Sequence, residues 1–391
     1  MSVDLKIANI MANDAHLCNF RELQDLLKEF NFQKKFKIIT VAGTNGKGTT
    51  VAMLEELLVA NNKSVLSHTS PHVFKFNERI SLNKKSIDEV VLLEILERLA
   101  EISFEYKLSY YQIAFLCACI YSQKTHVDYF ILEVGIGGRL DAANVLDADL
   151  TAITNIDFDH CEILGDTLDK IGYEKAGICR PKVPLFLGAK MPQSVYSYAR
   201  EIGATIYEKS YEPESSECFI HSYNIAMGIA EYLFQDLSIN YAPRLEYVKA
   251  PARFYQLKKD DVYKSYVMVD VAHNPASVEH LFNLLNKKFE HKNIKYEAVF
   301  GILGSKDIEK VLSIAKQYIY RWNVVDLKYA DSRALNIDDI RTEFEKQNII
   351  MVDYHHDLTS LYLAKKNTVT VVFGSFVIAG KFLEEYNKKS S

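Results

Sequence analysis

Apolar positions along this chain recur in two ways. Short continuous apolar runs alternate with longer stretches where apolar side chains return every three or four positions, the periods of buried strands and one-sided helices. Residues 1–35 predict amphipathic helix through Leu5, Ile7, Ile10 and Met11, and again through Phe20, Leu23, Leu26 and Leu27. Residues 38–42 predict a strand, a helix follows through Val51, Leu54 and Leu58, and 64–68 predict a second strand. Helix is expected over 87–105, and over 108–122 a helix apolar on nearly every face, hence buried. Residues 127–134 form a continuous apolar run of the kind central parallel strands show. Strand 150–155, helix 167–176, strands 183–187 and 204–207 and helix 221–234 follow.

That rhythm breaks between Pro243 and Pro251, which predicts a domain boundary at residue 248. It then restarts with strand 266–271, helix 275–287, strand 298–303, helix 306–318, strand 323–327 and helix 337–347. Strand 349–352, helix 358–365, strand 369–373 and a C-terminal helix complete it. The pattern predicts an α/β protein of two domains. Residues 1–247 read as an N-terminal P-loop ATPase-like domain with a mostly parallel sheet, and 248–391 as a smaller Rossmann-like α/β domain.

Composition narrows the partners. At 391 residues two domains are the expectation, and 48% apolar with 25% charged residues is the balance of a soluble globular chain. A net charge of −5 gives no basic field, which speaks against nucleic acid. The six cysteines include no C-x-x-C pair and read as buried thiols in a reducing compartment. Neither a signal peptide nor a membrane-length apolar run of roughly 18 residues is found. The expected place is the cytoplasm, with no membrane partner.

Candidate chemistry begins at Gly43-Thr44-Asn45-Gly46-Lys47-Gly48-Thr49-Thr50, between the first strand and its helix. Glycines let backbone N–H groups turn inward, the helix N-terminus adds positive potential, and Lys47 brings a charge to the outer phosphates. Thr49 or Thr50 offers a hydroxyl to Mg²⁺. The spacing departs from a standard P-loop, which has glycine where Val41 stands and Ser or Thr where Gly48 stands. Ser70 follows the second strand; it could be a ligand or an ordinary turn residue. Glu133 is a carboxylate ending a buried strand, so it should hold a metal, a base or an arginine. His160 follows the next strand on the edge where open α/β sheets collect ligands, and could share a metal with Glu133 or simply be hydrogen-bonded. Nothing local distinguishes Lys175 from a solvated lysine, or Asn224 from an ordinary polar position on a helix.

In order and at these separations, the motifs resemble the folylpolyglutamate synthase/dihydrofolate synthase family of the Mur ligase superfamily. The residues that carry the likeness are the Gly43–Thr49 loop, Thr69-Ser70-Pro71, Glu133-Val134-Gly135-Ile136-Gly137-Gly138-Arg139, Thr154-Asn155-Ile156-Asp157-Phe158-Asp159-His160, Glu174-Lys175-Ala176-Gly177-Ile178 and Asp270-Val271-Ala272-His273-Asn274-Pro275. Gly48 after the lysine marks the folate branch. The resemblance implies an ATP-dependent acid–amino-acid ligase that adds L-glutamate to a reduced folate, or to dihydropteroate, through an acyl phosphate. Lys47 and the loop from Gly43 to Thr50 would hold ATP, with Asn224, Arg253 and Asp270 as further nucleotide contacts. Ser70, Glu133 and His160 would ligate Mg²⁺, and Lys175, carbamylated in the family, a second Mg²⁺. His273 would lie near nucleotide or incoming glutamate as a helper in catalysis. A monomer is implied.

Departures from the family pattern touch the acceptor more than ATP. Ser109-Tyr110-Tyr111-Gln112 stands where Thr-Tyr-Phe-Glu is usual, which puts pterin recognition in question and favours folylpolyglutamate synthase activity alone. Val271 replaces a glycine, and Ala252 stands where Pro-Gly-Arg is usual. The rival readings are a UDP-muramyl peptide ligase and a catalytically inactive nucleotide-binding homologue. The first would carry a UDP-sugar-binding domain ahead of a loop that here opens at Gly43, and the second would not need Lys47, Ser70, Glu133, His160 and Lys175 together.

Overall fold

Continuous apolar runs become the middle strands of two sheets in a computed structural model that describes residues 2–12, 15–234, 242–260, 265–290, 294–359, 361 and 366–390. The chain separates into two units: residues up to Asp157 with Cys161–Val248, and Phe158–His160 with the residues from Lys249 on.

In the first unit the chain runs through α1 (Val3–Met11), α2 (Phe20–Glu29), β1 (Lys37–Ala42), α3 (Lys47–Ala60), β2 (Val65–His68), β3 (Ile80–Leu82), β4 (Lys85–Ser86), α4 (Glu89–Ile102) and α5 (Tyr110–Lys124). It continues through β5 (Tyr129–Glu133), β6 (Leu150–Ile153), α6 (Cys161–Leu164), α7 (Leu168–Ala176), β7 (Pro184–Leu187), α8 (Gln193–Ile202), β8 (Thr205–Glu208), α9 (Ile220–Leu233) and α10 (Ala242–Leu245). The eight strands lie in the order β4-β3-β2-β5-β1-β6-β7-β8. All neighbours are parallel except the antiparallel pairs β2–β3 and β3–β4 at one edge. That edge hairpin is short and half polar, so no apolar run announces it. Helices cover both faces. One core gathers Leu26, Leu96, Phe115, Leu116 and Phe130, and the other Leu54, Leu58, Ile131, Ile225 and Ile229.

The second unit contains β9 (Tyr255–Asp260), β10 (Ser265–Val269), α11 (Pro275–Phe289), β11 (Lys295–Phe300), α12 (Ile308–Ala315), β12 (Ile319–Val325), α13 (Ile337–Lys346), β13 (Val352–His355), β14 (Thr368–Phe373) and α14 (Phe376–Ser390). Its strand order is β13-β12-β11-β14-β10-β9, parallel except for β9. The last strand is inserted between β10 and β11, and all six of its residues are buried. Three expected strands shift here, and the one expected over 298–303 runs Lys295–Phe300. The strand expected over 323–327 begins at Ile319, and the one expected over 349–352 begins at Val352. Ile350 and Met351 are 88% and 55% exposed, so that apolar run covers no core. Helix α12 starts at Ile308 because Asp307 caps it, accepting from Lys310 N at 3.1 Å. The helix expected over 358–365 lies mostly outside the described residues.

Trp322, the only tryptophan, is 1% exposed and packs edge-on against Phe300 and Phe344, with ring centroids 5.6 and 5.0 Å away. Its fluorescence therefore reports the second unit. Phe344→Ala should remove about 3–5 kcal/mol of that unit's stability, read as a lower urea midpoint of the Trp322 signal. An unchanged midpoint would mean that the aromatic cluster does not hold the sheet.

Candidate active site

Strand register decides what surrounds the glycine loop. Val41 of β1 pairs with Glu133 of β5 on one side and Ala152 of β6 on the other, and Ala42 pairs with Ile153. The loop that leaves β1 therefore emerges between Glu133 and Thr154. Strands on either side of β1 run off in opposite directions of the sheet order, the crevice where parallel sheets gather ligands.

Backbone and side-chain hydrogen bonds stitch the loop to the end of β6. Thr44 N donates to Asn155 O at 3.0 Å, Asn45 N to Asn155 Oδ1 at 2.9 Å, and Thr154 Oγ1 to Asn45 O at 2.6 Å. Thr44 Oγ1 accepts from Asp157 N at 3.0 Å. Gly43 takes φ +140°, and a Cβ there would fall 1.8 Å from Thr154 Oγ1, so only glycine lets the loop lie this close. Gly46 at φ +84° is the N-cap of α3. Thr154 and Asn155 sit inside a quoted motif yet drew no role, because their contacts are with chain 110 residues away.

Two lysines meet on one carbonyl. Lys47 Nζ and Lys175 Nζ each donate to Gly43 O at 3.0 Å. Lys175 is 4% exposed, so it is no solvated lysine. Helix α7 brings it there. Arg139 Nη2 meets Glu174 Oε1 at 2.8 Å, and Arg139 N donates to Glu174 O at 2.8 Å, which docks α7 on the turn after β5. A Cβ at Gly138 would lie 2.8 Å from the carbonyl oxygens of Glu174 and Lys175. Of the two threonines, Thr50 Oγ1 donates to Gly46 O at 3.0 Å, whereas the buried Thr49 Oγ1 has no protein partner. An orphaned hydroxyl in a glycine cradle suits a phosphate or its cation.

Glu133 is 3% exposed, and its Oε2 accepts from Ser70 N at 2.8 Å, so the structure brings these two expected ligands together. A Cβ at Gly48 would lie 3.8 Å from Oε2, which puts the carboxylate beside the first turn of α3. Behind it, Tyr111 Oη lies 2.6 Å from Glu133 O and 3.0 Å from Asp141 Oδ1, with one proton shared between the two acceptors. Asp141 also accepts from the N–H groups of Gly135, Ile136 and Ala143. Burial pushes its carboxyl up to about 6 against those donors. Gln112 completes a capping box with Ser109, and its Nε2 donates to Cys18 O at 3.0 Å. A glutamate could make the cap but not that donation. The missing carboxylate thus has an architectural reason.

Asn224 borders a cavity of about 290 Å³ together with Leu187, Gly188, Lys190, Lys209 and His221. Its side chain joins Gly188 O at 2.9 Å to Tyr211 N at 3.0 Å.

In the second unit Asp270 accepts from Phe254 N at 2.6 Å and Ala272 N at 2.7 Å. Burial raises its carboxyl pKa, with the Arg253 charge opposing. Arg253 lies over the Phe376 ring at 4.9 Å, and His273 faces the same ring at 6.1 Å. His273 Nδ1 is 2.7 Å from Val271 O, and burial lowers its pKa. Arg253, Asp270 and His273 therefore converge. Val271 occupies the usual glycine position without a left-handed backbone, whereas Ala252 adopts φ +53°, a conformation glycine would take without strain. His160 also belongs to this unit, at φ +52°, beside Asp159. Among the described residues no cluster of three His, Cys, Asp or Glu side chains is arranged to hold a metal. A divalent cation here would need hydroxyl and phosphate oxygens as well, as hard cations accept.

Residues 41–184 match the model of the Mur ligase middle domain, and 253–376 that of the Mur ligase glutamate ligase domain. The chain is 32% identical over 397 residues to a dihydrofolate synthase/folylpolyglutamate synthase of Buchnera aphidicola subsp. Acyrthosiphon pisum, with 93% of each chain covered. It is 31% identical over 317 residues to the Escherichia coli protein of that description, covering 74% of this chain and 73% of that one. Its fold is similar to a bifunctional folylpolyglutamate synthase/dihydrofolate synthase from Yersinia pestis complexed with AMPPNP and a manganese ion (TM-score 0.87, 26% identity, 99% and 98% covered). It is also similar to E. coli FolC in complex with DHPP and ADP (TM-score 0.88, 25% identity, 100% and 99% covered).

Proposed function

Because this chain belongs to the dihydrofolate synthase/folylpolyglutamate synthase family, we propose that it is an ATP-dependent ligase that joins L-glutamate to a reduced folate. The observation that carries this reading is the glycine loop, where Lys47 and Lys175 meet the Gly43 carbonyl beside Glu133.

A carboxylate is a poor acyl donor because an oxide would have to leave. Moving the γ-phosphoryl group of ATP onto the folate carboxylate forms an acyl phosphate. The glutamate amine then attacks the acyl carbon, phosphate departs with the bonding pair, the nitrogen gives up a proton to solvent, and the amide remains. The loop amides and Lys47 hold the phosphates in line and neutralise their charge, in a site that excludes water from the intermediate. Ser70 and Glu133 would hold Mg²⁺, with Thr49 the better placed of the two threonines to offer a hydroxyl. Held there, the cation would supply positive charge to offset that on the transferred group. Carbamylation of Lys175, addition of CO₂ to its amine with loss of a proton, would turn the group at the Gly43 carbonyl into an anionic ligand for a second cation. Asn224 would contact the nucleotide from the cavity it borders. For His160, Arg253, Asp270 and His273 the roles rest on their motifs: a further imidazole ligand, nucleotide contacts, and a helper near the amine.

We read residues up to 247 as the ATP-binding domain and those from 248 as the glutamate-ligase domain, in a monomer working in the cytoplasm. Six free cysteines suit that reducing compartment, and no helix among the described residues is long and apolar enough to cross a membrane. Folylpolyglutamate synthesis is the first reading. Added dihydrofolate synthase activity is the second, favoured by the relatives that carry both names and by the architectural reason for Gln112.

Purified protein given ATP, Mg²⁺ and L-glutamate should release ADP only when tetrahydrofolate is added, and with dihydropteroate too if both activities are present. Release dependent on a UDP-muramyl peptide, or none with any acceptor, contradicts the reading. Gly43→Ala forces a side chain onto Thr154. At about 1–3 kcal/mol of strain it should weaken a fluorescent ADP analogue by roughly 5- to 150-fold. Unchanged affinity would remove the loop from nucleotide binding.

A further inference from the structure

Asp159, which stands in a quoted motif without a role, and Lys306, which stands in none, form a buried ion pair: Lys306 Nζ lies 2.7 Å from Asp159 Oδ1, and the side chains are 8% and 13% exposed. Both belong to the second unit, Lys306 on the loop before α12 and Asp159 in the short Phe158–His160 segment. The surroundings of the carboxylate are divided. Oδ1 takes the lysine and the backbone N–H of His160 at 3.0 Å. Oδ2 faces His160 Nε2 and His273 Nε2, each at 3.8 Å, and Asn274 Nδ2 at 3.4 Å. That oxygen accepts from Asn274 and stands at ion-pair distance from two imidazoles, the two histidines to which the proposed reaction gives roles.

Stability alone is a weak reason for such a pair, since desolvation offsets much of the attraction between buried ions. His160 is also held at φ +52°, a strained conformation for a residue with a side chain. Strain and a buried pair together fit a device that fixes ring orientation. Carboxylates beside metal-ligating imidazoles do this by setting which ring nitrogen carries the proton. His273 is anchored by Nδ1 at the Val271 carbonyl, which leaves Nε2 facing Asp159 at 3.8 Å. Burial would push the Asp159 carboxyl up, but the His273 ring and the charges of Lys306 and His160 hold it well below the usual carboxylate range.

We infer that Asp159 and Lys306 are positioning residues for the ligase reaction: Lys306 pins one carboxylate oxygen so that the other orients the rings of His160 and His273. The inference rests on the proposed function through the metal-ligand role of His160.

The test is Mn²⁺ binding followed by electron paramagnetic resonance with a non-hydrolysable ATP analogue, alongside steady-state kinetics. In Lys306→Met, Mn²⁺ affinity and kcat should each fall by ~10-fold or more, the range seen when groups behind metal ligands are removed. KM for ATP should stay within about two-fold and the Trp322 urea midpoint near wild type, while Lys306→Arg should recover part of the Mn²⁺ affinity. Wild-type Mn²⁺ affinity and kcat in folded Lys306→Met overturn the inference. Should that variant not fold, Asp159→Asn decides by the same two readings. Wild-type protein that binds no Mn²⁺ with the analogue would instead bring down the functional reading itself, and this inference with it.

Discussion

Everything proposed here depends on how closely the loop after β1 lies against the end of β6. Thr154 Oγ1 reaches the Asn45 carbonyl at 2.6 Å, and that approach exists only because Gly43 has no Cβ. With the loop held down, its Gly43 carbonyl points where two ammonium groups can reach it, Lys47 from α3 and Lys175 from α7. The parallel register then sets Glu133 alongside. A sheet, two helices and a glycine at positive φ thus converge on one peptide group. Removing any of them changes where phosphate charge would be met.

The second unit works by a comparable economy. Asp270 ties the loop before β9 to the turn after β10 through two backbone amides, which brings Arg253 and His273 to Phe376. Asp159 gathers His160, His273, Asn274 and Lys306. In both units buried carboxylates organise loops, and the motif residues stand on those loops.

Much of this was legible in the chain. Strands β1, β5, β6, β10 and β14 are continuous apolar runs, so burial on both faces announces them. Lys47 and Glu133 declared themselves by position, one in a glycine loop and one ending an apolar strand. Edge strands β4 and β9, and β3 beside β4, were not legible, because two or three residues, or a mostly polar run such as Tyr255–Asp260, carry no strong period. Lys175 became legible only through a motif, since its burial depends on Gly138 letting α7 close on the turn after β5. Thr154, Asn155 and Lys306 were missed for one reason: their partners are far away in sequence. Gly48 proved more informative than the regular part of the loop. It marked the folate branch, which relatives matched over 93% of the chain bear out.

The most direct test of the account is the fate of oxygen in the acceptor. Folate labelled with ¹⁸O in the reacting carboxylate should be turned over with ATP, Mg²⁺ and L-glutamate, and the released phosphate analysed by mass spectrometry. An acyl phosphate requires one carboxylate oxygen to leave with phosphate, so each amide formed should yield one ¹⁸O-labelled phosphate. Unlabelled phosphate alongside normal amide formation would contradict the mechanism.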